Sequence, residues 1–109
     1  MTKIIITKSK NHIIGFEVSG HTGYADEGSD IVCSAVSTAT QMTVKGIQEV
    51  LKLDSFVEIS DGYLKFKLNI HDFENQNAQI LLKTMEKTLQ EISKEYGQYV
   101  KLEVKRDDN

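Results

Sequence analysis

The chain has 109 residues, 39% of them hydrophobic and 27% charged, and a formal net charge of −3. That length suits one domain, residues 1–109, with a single modest core. No apolar stretch approaches membrane-spanning length, and the slight acidic excess argues against unaided nucleic-acid binding, which needs surplus Lys and Arg to displace counterions. The one cysteine, Cys33, excludes an internal disulfide and fits a reducing cytoplasm.

The opening Met1-Thr2-Lys3-Ile4-Ile5-Ile6-Thr7 is too short and too strand-like for a signal peptide. Lys3 to Lys8 and His12 to Ser19 read as strands joined around Ser9-Lys10-Asn11. In the second, Ile14, Phe16 and Val18 alternate with Gly15 and Glu17, the period of a half-buried strand. Ile5 and Ile13 then fall on the sheet's otherwise polar face. A polar loop follows from Gly20 to Ser29, holding three of the seven glycines. From Ile31 to about Lys52, apolar residues at Val32, Val36, Ala39, Ile47 and Val50, with Thr43, predict a helix with one buried face.

Phe56 to Ser60 and Tyr63 to Ile70 flank Asp61-Gly62, the dipeptide preferred by a type I′ hairpin turn. Leu64, Phe66, Leu68 and Ile70 share one face of the second of these strands. Asn75 or Asn77 can cap a helix whose stripe runs Ala78, Leu81, Met85, Leu89, Ile92 and Tyr96, with Gly97 as its left-handed stop. Tyr99 to Val104 supplies a fifth strand. The order β-β-α-β-β-α-β predicts an α+β fold, a two-layer sandwich of five strands with both helices on one face. Each hairpin gives an antiparallel pair; how the two halves join is not readable.

The loop before the first helix carries the chemistry. Asp30 stands immediately ahead of the predicted helix, where an aspartate serves as N-cap or orients His21. With Asp30 as cap, Cys33 takes the third helical position. First-turn N–H groups and the helix dipole there favour a thiolate and could hold an oxyanion. His21 is a candidate base for that thiol. Ser37 lies one turn on from Cys33, on the same helix face. Plainer roles exist for each: Cys33 as a small buried hydrophobe, Ser37 as a surface or packing residue, and the glycines as loop formers. A metal bound by His21, Asp30 and Cys33 would want a fourth ligand and shows no recognisable spacing. His12 and His71 read as surface residues.

The run Gly20-His21-Thr22-Gly23-Tyr24-Ala25, followed by Gly28-Ser29-Asp30-Ile31-Val32-Cys33-Ser34-Ala35-Val36-Ser37, resembles the signature of the ribosomal-processing cysteine protease family, called Prp. That motif runs Gly-His-Ala-Gly-Tyr-Ala, then Gly-x-Asp-Ile-Val-Cys-Ala-Ala-Val-Ser. Thr22 and Ser34 replace alanines, both small for small. Chain length and element order agree with the family domain on either side. The resemblance implies a cysteine endopeptidase that trims the short N-terminal extension of a large-subunit ribosomal protein, number twenty-seven. It places the nucleophile on Cys33 and the general base on His21, with Gly20, Asp30 and Ser37 in supporting positions.

A Cys-His mechanism of this kind needs no metal or cofactor. The partner it implies is the tail of the ribosomal protein, with no membrane and no direct nucleic-acid contact, and the family is similar in forming homodimers. Two other classes compete. In one, a non-catalytic ribosome-associated module grips its partner with the loop while Cys33 is merely buried. In the other, a redox-sensing thiol would require a resolving cysteine from a partner, since the chain has no second one.

Overall fold

In the computed structural model the protein is described over residues 1–20 and 27–107, with the side chains of 27–30 excepted. Two hairpins supply four of the strands: β1 (Thr2–Ser9) with β2 (His12–Ser19), and β3 (Ser55–Ser60) with β4 (Tyr63–Leu68). Helix α1 (Glu27–Lys45) continues into a π-helical turn, Gly46–Val50; α2 (Gln76–Glu95) follows a 3-10 turn at Ile70–Asp72, and β5 is Val100–Arg106. The sheet order is β3-β4-β2-β1-β5. Pairing of β2 with β4 joins the hairpins antiparallel, and β5 lies parallel to β1, so the sheet is mixed.

One apolar core lies between the sheet and both helices. Ile4, Ile6, Phe16, Leu64, Phe66 and Leu68 from the sheet meet Val32, Val36 and Ile47 from the first helical segment and Leu82, Met85 and Leu89 from α2. Period-two strands and period-3.6 helices each present one apolar side, and a two-layer α+β stack buries both. This is the architecture expected from the sequence. Phe16 and Phe66, directly opposite in the β2–β4 register, stack with ring centroids 5.2 Å apart. No helix among the described residues is long and apolar enough to cross a membrane.

Several local expectations are corrected. A bulge sets Thr7 opposite Gly15 but Lys8 opposite Ile13, leaving Ile14 as the extra residue. The bulge reverses the alternation, so Ile13 is fully buried in the core rather than on the outer face. Lys8 then points to the helix side, where Nζ meets Glu86 Oε2 at 2.8 Å. The π-turn closes with Leu51 N–H donating to Gly46 O at 2.9 Å, five residues back. Its wider winding rotates Val50 out of the buried stripe to 77% exposure, while Ile47 stays in the core.

The second half departs in three places. Gly62 has φ 70° but Asp61 stays at negative φ, so the β3–β4 turn is not type I′. Strand β4 ends at Leu68, and Ile70 begins the 3-10 turn with its side chain exposed; Asn69 Oδ1 accepts from His71 N–H there. Asn75 does cap α2, its Oδ1 accepting from Ala78 N–H at 2.9 Å. Gly97, however, is not left-handed, and the helix closes through Tyr96 N–H donating to Ile92 O. Tyr96 is itself exposed.

Candidate active site

At the end of the sheet where β2 finishes and the β3–β4 hairpin turns, an open cleft of about 140 Å³ separates strands from α1. Cys33, Ser37 and Thr40 form its helical wall; Gly20, Ile59 and Tyr63 are among the residues facing them. Positions 33, 37 and 40 recur at i, i+4 and i+7, so one helix face presents a thiol and two hydroxyl groups. Cys33 is half-buried and lines open space, not sealed in the core. Thr40 is buried, and its hydroxyl donates back to Val36 O at 2.9 Å, with Ser37 O at 3.2 Å.

Gly20 follows directly on β2 with φ 127°, a conformation that side chains rarely adopt. Its N–H donates to Gly62 O at 3.1 Å, tying the end of β2 to the β3–β4 turn. A Cβ there would stand 2.3 Å from Met1 O. The backbone leading into His21 is thus fixed on both sides by main-chain neighbours. His21 itself lies outside the described residues, as do Thr22 and Gly23.

The helix begins earlier than the residue pattern suggests. Because α1 starts at Glu27, Gly28 and Ser29 belong to it, and Asp30 lies within its first turn instead of capping it. Cys33 accordingly sits in the second turn, beyond the free N–H groups of the helix start, rather than at the third helical position. An amphipathic stripe fixes a helix's face but not its first residue, and the helix extends four residues ahead of Ile31. The first-turn amides therefore stand one turn ahead of the thiol.

Across the cleft, Tyr63 turns its hydroxyl to Glu17 on the outer sheet face. That hydrogen bond, with burial and the charges of Glu17 and Glu58, pushes the phenol up to about 12. Sequence reasoning did not single out Thr40, Gln41, Ile59 or Tyr63. The helical spacing from Cys33 could have found Thr40; the strand residues come from a distant part of the chain and carry no local signal.

A family model described as cysteine protease Prp matches residues 1–101. The chain belongs to the Prp cysteine protease family. The ribosomal processing cysteine protease Prp of Staphylococcus aureus is 27% identical over 105 residues, 96% of this chain and 99% of that one. Its Bacillus subtilis counterpart is 28% identical over 88 residues, 77% of this chain and 79% of that one. A crystal structure of the S. aureus Prp with a substrate peptide superposes with a TM-score of 0.87 at 26% identity, covering 96% of this chain and 100% of that one. The same enzyme with a covalently linked product peptide gives 0.84 at 27% identity, with the same coverage. A Streptococcus mutans structure at 22% identity and TM-score 0.90, covering 98% of this chain and 96% of that one, shares the fold. Membership of Prp makes the protein a cysteine protease, as the motif around His21 and Cys33 implied.

Proposed function

We propose that this chain is a cytoplasmic cysteine endopeptidase that removes the short N-terminal extension of large-subunit ribosomal protein number twenty-seven. The observation that carries the reading is the placement of Cys33, the only cysteine, on the wall of an open cleft that Gly20 also lines, with His21 next in sequence. Two structures of the S. aureus relative, one with a substrate peptide and one with a covalently linked product peptide, support a peptide substrate.

In this mechanism His21 takes the proton of Cys33, and the thiolate forms a bond to the scissile carbonyl carbon. Collapse of the tetrahedral intermediate breaks the C–N bond, and His21 returns its proton to the leaving amine. Water, deprotonated by His21, then cleaves the thioester, releases the new carboxylate and restores the thiol. Gly20 supports the site by holding the strand end that leads to His21. Ser37 supports it from the next turn of α1, and Asp30 from the first. Ile5, half-buried, and Phe56, exposed, leave apolar surface on the outer sheet face, which supports a homodimer.

Incubation with the extended ribosomal protein, read by mass spectrometry, tests the assignment. One defined cut is expected, lost in Cys33→Ala; undiminished turnover by that variant would remove Cys33 from the mechanism. His21→Ala is expected to lower the cleavage rate by about 10²–10⁴-fold. Alkylation of Cys33 in that variant at the parental rate and neutral pH would exclude His21 as the activating base. Light scattering tests the dimer, a monomer mass being the adverse result.

A further inference from the structure

Strands β3 and β5 are the two edges of the sheet. Strand β5 carries Lys101, Glu103, Lys105 and Arg106, charges of the kind that keep a free edge from pairing. Strand β3 has Glu58 alone among Phe56, Val57 and Ile59, and Phe56 and Ile59 are 50% and 64% exposed. A sparsely charged apolar edge is a template for another strand.

The register fixes which backbone groups are free. The two-residue turn at Asp61-Gly62 makes Ser60 and Tyr63 a hydrogen-bonded pair. Bonded pairs then alternate: Glu58 with Lys65 and Phe56 with Lys67 bond across the hairpin. Ile59, opposite Leu64, and Val57, opposite Phe66, turn N–H and C=O toward the open side. The same period sends the Val57 and Ile59 side chains to the helix side of the sheet, and Ile59 lines the cleft together with Cys33. Among the described residues, backbone donors and acceptors without a strand partner and an exposed aliphatic side chain thus coincide at one residue of the cleft.

We infer that the substrate peptide adds to β3 as a further strand, bonding the backbone of Val57 and Ile59, and that Ile59 selects an apolar side chain in the substrate residue beside it. The inference rests on the peptidase function proposed above. Phe56 has no part in it, since its side chain lies on the other face and its backbone is committed to Lys67.

The test uses a fluorogenic peptide spanning the N-terminal extension, with single backbone N-methyl groups scanned along it. Methylation at alternate residues is expected to lower kcat/KM about tenfold, with the intervening residues spared, because only alternate N–H groups face the added edge. Ile59→Glu is expected to lower kcat/KM about tenfold or more on the same peptide, with Ile80→Glu, at an exposed apolar residue of α2, unchanged and Cys33 alkylated by iodoacetamide at the parental rate in both. A scan without alternation, parental kcat/KM in Ile59→Glu, or loss of kcat/KM matched by slowed alkylation overturns the inference. So does dissociation of a dimer by Ile59→Glu with a flat scan, which would assign the edge to a second copy. Absence of any cleavage by the parent protein overturns the peptidase function itself and the strand addition with it.

Discussion

Gly20 and Met1 approach so closely that any β-carbon on Gly20 would stand 2.3 Å from the Met1 carbonyl oxygen, and Thr2 Cα lies 2.9 Å away on the same side. Main-chain atoms at the start of β1 yield less readily than a flexible side chain would. Gly20→Ala must therefore displace the backbone that runs from the end of β2 into His21. The expected cost is about 1–3 kcal/mol of stability, because a strained φ is added to the clash. Thermal unfolding checks the stability, and peptide cleavage at a temperature where the variant is fully folded checks the site. A variant with parental Tm and turnover would show that the strand end relaxes freely.

Gln79 clamps the bulge in β2. Its Oε1 accepts from Ile13 N–H at 2.9 Å, while Nε2 donates to Ile13 O at 2.8 Å and to Phe73 O at 3.0 Å. One buried amide thereby replaces the strand partners that Ile13 lacks. Gln79→Leu keeps the volume but strands the two buried backbone groups of Ile13, each costing about 1–3 kcal/mol when unsatisfied, and the part-buried Phe73 carbonyl. A fall in denaturation midpoint larger than that of Gln79→Glu, which retains an acceptor for Ile13 N–H, is expected from urea titration of both variants.

Lys8 and Glu86 join the sheet to α2 on the core side. The Nζ–Oε2 distance is 2.8 Å, and the side chains are 23% and 9% exposed. Removing one member leaves the other charge with little water. Glu86→Ala is expected to cost about 2 kcal/mol. The double change Lys8→Met with Glu86→Leu should recover most of it, because a buried pair replaced by apolar side chains is often neutral. A double-mutant cycle in urea measures the coupling; strict additivity would show the pair to be inert.

Tyr63 should titrate late. Its hydroxyl donates to the Glu17 carboxylate, and the phenol is raised from the usual 10.0 to about 12. Since the folded value exceeds the unfolded one, the stability from this contact is fully present below the unfolded value and declines as pH rises through the folded one. Alkaline absorbance titration, with Tyr63→Phe to identify the step, checks the midpoint. Glu17→Gln should bring it back toward 10.0. A midpoint near 10.0 in the parent would show that the contact does not hold the proton.

Much of this protein was fixed by local pattern. Element order, an Asn cap at the start of α2, the apolar faces of β4 and most of α2, and the motif spanning Gly20 to Ser37 all follow from neighbours a few residues apart, and that motif pointed to the family. Tertiary structure decided what depends on partners far along the chain. The join of β2 to β4, the parallel β5 and the bulge that turns Ile13 inward are set by pairings that periodicity cannot encode. The same holds for the cleft: Cys33 announced itself by its place after a glycine-rich loop. Ile59 and Tyr63 reach it only because the β3–β4 hairpin docks beside β2, a packing choice made by the shared core.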